Sequence, residues 1–456
     1  MPNRTILFAT GLFLVLVVSF IFSSPGRSGK IKSNQDFTIN IPPKASDAAS
    51  IGNTQEVAKV PVVQLSDEEQ QQALATLIGQ EHITISSNMT SNKKYIAMNF
   101  LGVAAYNPSI LPHPNQFMQT PRQWVLVAQE APTDKTGFMR EISCFAEFAN
   151  DTFTCVEPPT TLPIASTVSD KCPKAYETEN NIVGPRGARA FFGPLSRPYI
   201  MYGSPSAHTC MGQHMQDLSR LLYWQYLDPL PRKQPFFQPV DLQRPGTYNT
   251  VEKSWFAFWD RIGDMYIHHS LFPKRSFAKV NTTGGIGDDL ALQTAAHDDA
   301  CMAQYLPKIT NQGYEEIEQA TGSLLVTLCD REDPTCFETE RNTFLLSIVN
   351  HKSTYLGQNI YEPYLVLFKR TSPFELHAIS KKSLWINGRE KPTASGSKSK
   401  DQSFRVTSAN WKAFGKDYQG YLTDELMISF SIDDQRSGTI DVVVADLVEG
   451  LGLCTP

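Results

Sequence analysis

Carboxylates beside predicted apolar strands are the side chains of this sequence best suited to proton transfer. A carboxylate within hydrogen-bond reach of a hydroxyl group can act as a general base. The ends of strands are also where β scaffolds commonly present functional side chains. The alternative for each carboxylate is an exposed or ion-paired structural role, since most Asp and Glu side chains lie at surfaces. The catalytic candidates are Asp260, Glu318, Glu362 and Asp424.

Polar and basic side chains at similar positions are candidates for substrate binding. Arginine presents a planar fork of donors that suits a phosphate group or sugar hydroxyls. For the histidine in this set the alternative is a hydrogen-bonded structural role. The candidates are Asn107, Arg189, Gln319, His351 and Arg275.

The spacing of potential metal ligands does not indicate a metal site. There is no Cys-x-x-Cys pair and no separated Asp-x-Asp motif. Adjacent residues on a strand point to opposite faces, which applies to the Asp pairs and to His268 and His269. Charge on an anionic ligand would then be neutralised by Arg189, Arg275 or Lys279. We therefore predict no metal site and no cofactor.

Short apolar strands bounded by Gly, Pro, Asn or Asp turns are the elements that must position these residues. Examples are Trp124–Gln129, Asp264–Ser270 and Tyr364–Phe368. This pattern is typical of a mainly β sandwich, barrel or propeller. Polar strand ends recur at uneven spacing, which favours a small, diverged β-propeller. Two helices are predicted, at Met211–Leu222 and Asp298–Leu306.

The N-terminal region predicts a membrane anchor and a stem. Ile6–Phe22 is an uncharged apolar run of a length that suits a short membrane helix, with a cleaved signal peptide as the alternative. We assign residues 1–23 to the cytosolic tip and signal-anchor helix, and residues 24–65, rich in Ser, Gly, Pro and Lys, to a flexible stem. Ser66 and Glu69 resemble a capping box, so the globular domain is predicted at residues 66–456.

The eight cysteines favour an oxidising compartment. Cys144 with Cys155, and Cys329 with Cys336, are close enough in sequence to close local loops, although free buried thiols are the alternative. Three Asn-x-Thr sequons agree with a lumenal domain. The net charge of -5, without a basic cluster, argues against binding of nucleic acid.

Three segments together resemble fungal membrane-anchored glycosyltransferases of the β-mannosyltransferase type. They are residues 184–204, residues 361–385 and residues 420–447, beginning GPRGARAFF, YEPYLVLFKR and GYLTDELMI. These transferases are similar in their blades to the five-bladed propellers of β-mannoside phosphorylases. The resemblance implies a lumenal five-bladed β-propeller of the secretory pathway, located in the Golgi, that transfers mannose with inversion. It also implies GDP-mannose as co-substrate and a cell-wall or secreted glycan as acceptor.

One position departs from the pattern that the resemblance implies. Such propellers commonly present an Asp-x-Arg to the sugar, whereas this chain has Gly187-Ala188-Arg189. Acid or base chemistry would therefore have to come from other blades. Two alternative functions stay open: a non-catalytic carbohydrate-binding propeller, and a β-mannoside phosphorylase or hydrolase.

Overall fold

Successive, mainly antiparallel sheets are the principal elements of the residues that the structure describes. The computed structural model describes residues 64–113, 123–132, 138–176, 183–222, 235–391, 403–415 and 418–455. The predicted anchor at residues 1–23 lies outside the described residues, as does the stem up to residue 63. No helix within the described ranges combines the length and apolar character needed to cross a bilayer.

A capped helix begins the described chain. The Ser66 N–H donates to Glu69 Oε2 at 2.7 Å and the Glu69 N–H donates to Ser66 Oγ at 3.3 Å, so the predicted capping box is confirmed. The helix buries Leu74 and Leu77 against Tyr355 and Ile360. The first elements are α1 (Asp67–Ile78), β1 (His82–Ile85) and β2 (Ile96–Asn99).

The first blade is an antiparallel meander, and a disulfide between Cys144 and Cys155 joins two of its strands. Side chains on both faces of its central strand are buried, as expected where a sheet packs between neighbours. The strands are β3 (Ala105–Pro112), β4 (Trp124–Glu130), β5 (Glu141–Ala149), β6 (Thr152–Cys155) and β7 (Thr160–Thr161).

The second blade contains a strand where the sequence predicts a helix. The prediction for Met211–Leu222 is wrong: residues 211–217 pair with the preceding strand along their whole length, and a 3-10 turn follows at residues 218–220. All seven side chains of this strand are buried, so pairing and packing outweigh the local helical pattern. The strands are β8 (Arg186–Gly193), β9 (Arg197–Pro205), β10 (Met211–Asp217) and β11 (Val240–Asp241).

The third blade has three strands and is followed by a helix. The helix confirms the prediction at Asp298–Leu306, although it begins earlier, at Ala295. His268 and His269 lie on the central strand and have different hydrogen-bond partners, in agreement with the expectation that they face opposite sides. The elements are β12 (Phe256–Trp259), β13 (Met265–Ser270), β14 (Ser276–Lys279) and α2 (Ala295–Tyr305).

The fourth blade is built on the two longest paired strands. A short strand precedes the blade and pairs with one of them, and the C-terminal strand, described below, pairs with the outer strand. The elements are β15 (Glu315–Gln319), β16 (Leu324–Thr327), β17 (Thr343–Tyr355), β18 (Gln358–Lys369), β19 (Leu376–Ser380) and β20 (Ser383–Ile386).

The fifth blade is completed by the N-terminal strand β2. Residues 96–98 pair with residues 437–439 of the last blade, and β2 also runs parallel to β6 of the first blade. Strand β2 thus links the last blade to the first. The other elements of this blade are β21 (Phe404–Trp411), β23 (Glu425–Ile432), β24 (Arg436–Val443) and α3 (Val444–Val448). Two short strands of the same region join the fourth blade: β22 (Gln419–Tyr421) pairs with β16, and β25 (Leu451–Leu453) pairs with β19.

The described residues therefore form a mainly β domain of five successive antiparallel blades, as predicted for a five-bladed propeller-like fold. Strands β3, β8 and β21, from three different blades, contact one another at the centre. All eight cysteines are paired. The two local pairings considered from the sequence are present, and Cys172–Cys210 and Cys301–Cys454 complete the set.

Candidate active site

A cavity of about 500 Å³ opens where strands of different blades begin near the centre of the domain. Its wall includes the beginnings of β3, β8 and β21 and the segment that leads into β12. Two of the predicted binding residues, Asn107 and Arg189, lie in this wall. The cavity is large enough for a small sugar or a sugar phosphate.

Asn107 is held in a left-handed backbone conformation at a bulge of β3, with φ at 52°. Its N–H donates to Ser431 Oγ at 2.8 Å, and its side-chain amide donates to Gln129 Oε1 at 3.4 Å. Gln129 Oε1 also accepts the Gly187 N–H at 3.0 Å, while Gln129 Nε2 has no partner among the described residues. A buried donor of this kind is available to a ligand.

Arg189 reaches from β8 towards the end of β15. Its Nη2 donates to the Gln319 carbonyl at 3.1 Å, and its Nη1 is buried without a partner in the described structure. Burial and the neighbouring Arg405 lower the pKa of Arg189 to about 10, and Glu318 partly opposes this. Arg189 is thus cationic at neutral pH and keeps a free donor.

Glu318 forms an ion pair with the basic side chains beside it. Arg405 Nε donates to Glu318 Oε1 at 2.9 Å, and Lys253 Nζ lies 3.4 Å from Oε2. Burial alone would raise the pKa of Glu318, but attraction to Arg405 and Lys253 outweighs burial and lowers this pKa to about 2. The carboxylate is therefore ionised and paired, which makes it a weak base.

Glu141, which the sequence analysis did not select, is the carboxyl group with the opposite behaviour. It is the first residue of β5, lies opposite Gln129 in the neighbouring strand and is 0 % exposed. Burial raises its pKa to about 8, although the N–H groups of Ala188 and Gly187 oppose the shift. Oε1 accepts the Ala188 N–H at 3.0 Å, and Oε2 has no partner within the described ranges.

Glu141 is therefore protonated at neutral pH and lies directly behind cavity-lining backbone. Its position at the start of an apolar strand is the same signal that selected the other carboxylates, so the sequence did contain the information. The sequence does not show that no basic side chain pairs with Glu141 in the folded protein.

The cavity wall carries more positive than negative side chains. Among the described lining residues four are basic and two are acidic. One of the acidic residues, Glu252, is already paired with Arg244 at 2.9 Å. A low-dielectric recess with excess positive charge favours an anionic ligand. The basic residues are Arg186, Arg189, Lys253 and Arg405, and the acidic ones are Glu252 and Asp434.

Asp260 lies at the other end of its strand from the cavity. Ser254, just before β12, lines the central cavity, whereas Asp260 follows the last residue of β12. Its Oδ1 accepts the N–H groups of Ile262 and Asp264 at 3.0 and 2.9 Å, and its Oδ2 accepts from the Tyr266 hydroxyl at 3.1 Å. This carboxylate stabilises a turn.

Asp424 is likewise distant from the central cavity. It precedes β23, which runs antiparallel to β21, so its end of the blade pairs near Trp411 and not near Arg405. Asp424 accepts from Arg331 and from the Tyr421 N–H, both at 2.8 Å.

Glu362 and His351 lie together, but outside the cavity wall. They are opposite each other in the β17–β18 pair, with His351 Nδ1 3.7 Å from Glu362 Oε2. His82 Nε2 lies 2.9 Å from Glu362 Oε1. Burial opposes ionisation of Glu362, but the neighbouring His351 and the hydrogen bond with His82 lower its pKa to about 2. This cluster joins the N-terminal segment to the fourth blade.

Gln319 and Arg275 lie behind the cavity and do not line it. Arg275 is 3 % exposed and pairs with Asp298 at 2.8 Å. The Gln319 side chain is 5 % exposed, and both its amide atoms are bonded within the protein. The structure thus places Asn107 and Arg189 in the cavity wall and Glu318 and Gln319 directly behind it. The other predicted site residues, Asp260, Glu362, Asp424, His351 and Arg275, do not line this cavity.

The backbone conformation at residue 187 explains why glycine replaces the aspartate of the Asp-x-Arg pattern. Its φ is 58°, in the left-handed region that favours glycine, and its N–H is bonded to Gln129. A Cβ at this position would meet no atom within 4 Å. The backbone conformation, and not crowding, accounts for glycine here.

Comparisons with known proteins give likenesses to solved structures only. No protein-family model and no curated protein matches the chain. A glycosyl hydrolase from Bacteroides ovatus is 10% identical, with a TM-score of 0.41, covering 81% of this chain and 94% of its own. A β-1,2-mannobiose phosphorylase from Listeria innocua is 9% identical, with a TM-score of 0.42, covering 80% and 96%.

Likenesses with TM-scores below 0.5 do not establish an activity. No family model and no curated protein supports the resemblance to fungal mannosyltransferases. Among the described residues there is also no group of three or more His, Cys, Asp or Glu placed to bind a metal ion.

Proposed function

We propose that the central cavity catalyses glycosyl transfer between a β-glycoside and phosphate, which is a phosphorolysis. The observation that carries this proposal is the pairing of a protonated acid, Glu141, with a cavity wall rich in basic side chains. Phosphorolysis with inversion needs an acid for the leaving oxygen and a site for phosphate, and it needs no catalytic base.

The anion site is supported by the arrangement of Arg189 and Arg405. Arg189 has an unpartnered Nη1, and Arg405 is held by Glu318. Together with Arg186 and Lys253 they would hold phosphate by charge-assisted hydrogen bonds. Phosphate bound there brings its own negative charge, so the nucleophile requires no further activation.

In the proposed step a phosphate oxygen attacks the anomeric carbon from the face opposite the glycosidic bond. The bond to the leaving oxygen breaks, and that oxygen is protonated by a relay: Glu141, which is buried behind the wall, gives its proton to a water molecule or sugar hydroxyl in the cavity, and that group gives its own proton to the leaving oxygen. The products are a sugar 1-phosphate of inverted configuration and a shortened glycan, and Glu141 is left ionised until it regains a proton from solvent. General-acid assistance of this kind contributes about 10²–10⁴-fold to a rate.

Mannose is the first sugar to test, because the sequence resemblance implies mannosyl chemistry. The full chain, incubated with β-1,2-mannobiose and inorganic phosphate, is expected to release α-mannose 1-phosphate and mannose. The matched reaction without phosphate separates phosphorolysis from hydrolysis. Release of mannose at the same rate without phosphate would replace the proposal by a hydrolase, and no turnover of any β-mannoside would overturn it.

A nucleotide-sugar transferase is the second candidate, because the same basic residues could hold a diphosphate leaving group without a metal ion. GDP-mannose and a mannan oligosaccharide acceptor would then give a longer glycan and GDP. This reaction needs a base, and two carboxylates at the cavity are already paired: Glu252 of the wall with Arg244, and Glu318 behind the wall with Arg405. A membrane-anchored enzyme in an oxidising, lumenal compartment is part of either proposal, and the paired cysteines support it.

A further inference from the structure

We propose that a buried chain of hydrogen bonds from Asp298 through Arg275, His268 and Gln319 positions Arg189 for anion binding. The inference rests on the proposed function, since it assigns a task to residues behind the same cavity. None of the four lines the cavity, so they would act as positioning residues.

The far end of the chain is a fixed ion pair. Asp298 Oδ2 accepts from Arg275 Nη1 at 2.8 Å and from Thr294 Oγ1 at 2.6 Å, while Oδ1 accepts the Leu376 N–H at 2.9 Å. The Arg275 guanidinium lies 4.4 and 4.7 Å from the ring centres of Phe277 and Phe368. With its charge paired and rings packed against it, Arg275 has one orientation.

That orientation determines the tautomer of His268. Arg275 Nε can only donate, and it lies 3.0 Å from His268 Nε2. Nε2 must therefore accept, which puts the proton of the neutral ring on Nδ1. Burial and the positive charge of Arg275 hold the pKa of His268 well below its usual range, so the ring stays neutral.

The hydrogen bonds continue from His268 through Gln319 to the cavity wall. Nδ1–H of His268 donates to Gln319 Oε1, which leaves Gln319 Nε2 to donate to the Ser254 carbonyl at 2.9 Å. The side chain thereby fixes the end of β15, and the Gln319 carbonyl accepts from Arg189 Nη2 at 3.1 Å. Ser254 and Arg189 both line the cavity, so the chain ends at two points of its wall.

The hydrogen-bond chain fixes the orientation of Arg189 and adds no net charge beside it. The charges of Asp298 and Arg275 cancel, and His268 is neutral. Breaking these hydrogen bonds should therefore weaken the binding of an anion, because Arg189 is no longer held in place, while the binding of a neutral sugar changes little. A purely structural role would lower thermal stability without separating these two ligands.

The experiment compares substitutions of neighbouring histidines in the full chain. His268→Gln keeps an acceptor for Arg275 and loses the Nδ1 donor, and we expect about tenfold weaker binding of α-mannose 1-phosphate by calorimetry, with mannose affinity unchanged. His268→Asn restores a donor at the Nδ1 position and should recover most of the loss. His269→Gln is the matched control, because His269 is equally buried but bonds to the Gln243 carbonyl on the other face.

A double substitution tests the route. In an Arg189→Ala background, His268→Gln should have no further effect on α-mannose 1-phosphate affinity, because coupled residues are not additive. Additive losses, or equal losses for mannose, would overturn the positioning role. If the unsubstituted chain binds neither phosphate nor α-mannose 1-phosphate, or if Arg189→Ala leaves their affinity unchanged, the proposed function fails instead.

A measurement without ligand keeps the inference testable in every case. Nitrogen NMR of the histidine rings should show His268 as the neutral Nδ1–H tautomer from pH 5 to pH 8. An Nε2–H tautomer, or titration of His268 within that interval, would contradict the hydrogen-bond chain irrespective of the ligand.

Discussion

Glu141 and Glu318 are both buried beside the central cavity, but they have opposite protonation states. Glu141 is 0 % exposed and has a pKa of about 8, whereas Glu318 is 7 % exposed and has a pKa of about 2. Burial raises both values, and only Glu318 has Arg405 and Lys253 beside it. The comparison teaches that the available partner, and not the depth of burial, decides the charge of a buried carboxyl group.

The two walls of the cavity therefore have different tasks in the proposed reaction. Behind the first-blade wall, Glu141 holds a proton that can be transferred, and on the β21 side Arg405 and its partner Glu318 hold fixed charge. Groups whose environments separate their pKa values in this way are the usual mark of an acid and a stabilising ion pair.

The largest expected effect is on turnover. Glu141→Gln removes the proton donor but keeps the shape, and we expect release of α-mannose 1-phosphate from β-1,2-mannobiose to fall by about 10²–10⁴-fold. Glu147→Gln, on the same strand but exposed, is the control. Unchanged turnover in Glu141→Gln would leave Glu141 a structural role only.

Stability should depend on pH through Glu141. Because its folded pKa is raised, the folded state holds this proton more tightly than the unfolded state. The contribution of Glu141 is most favourable below about pH 4.5 and is lost as pH rises to about 8, by an amount of the order of 5 kcal/mol. Urea unfolding at pH 5 and pH 8 should show Glu141→Gln gaining stability relative to the unsubstituted chain at the higher pH. A difference that does not change with pH would contradict the raised pKa.

Removing Arg405 should make the environment of Glu318 resemble that of Glu141, a buried carboxyl group without an arginine partner. With only the half-exposed Lys253 left as a partner, the pKa of Glu318 should rise, and Arg405→Gln should lower the free energy of unfolding at pH 7 by about 3 kcal/mol. The deficit should shrink below pH 4.5, where Glu318 of the unsubstituted chain begins to lose its own contribution as pH falls towards 2. The exposed Arg436→Gln is the control, with a change within about 0.5 kcal/mol.

The smallest effect concerns the backbone between the two walls. Gly187→Ala should cost about 1 kcal/mol in denaturant unfolding, because φ is 58° and alanine is strained there. Gly322→Ala is the matched control: its Cβ also meets no atom within 4 Å, and its φ is not in the left-handed region. Equal effects at the two glycines would remove the backbone explanation for Gly187.

The blades were predictable from the sequence because short apolar strands and their turns are local signals. Direction was not. Successive antiparallel strands begin at opposite ends of a blade, so a polar residue at a strand end has no preferred side without the topology. Asn107 and Arg189 occur at the cavity end, whereas Asp260 and Asp424 occur at the other.

Side-chain partners were equally out of reach of the sequence. Arg275 and Gln319 were selected as ligand-binding residues by type, but each is bonded to groups distant in sequence. The raised pKa of Glu141 depends on the absence of a cation, which no linear pattern records. The strands and turns were thus predictable, and the contacts between side chains distant in sequence were not.

The pairing of β2 with both β6 and β24 has a consequence for how the chain folds. Strand β2 can pair with β6 as soon as the first blade has been synthesised, but its other edge has to wait for β24, near the end of the chain. Until then that edge is open to pairing with other chains, and contacts between distant segments form slowly. Closure of the ring therefore has to wait until β24 has been synthesised, and the open edge of β2 favours aggregation before that point.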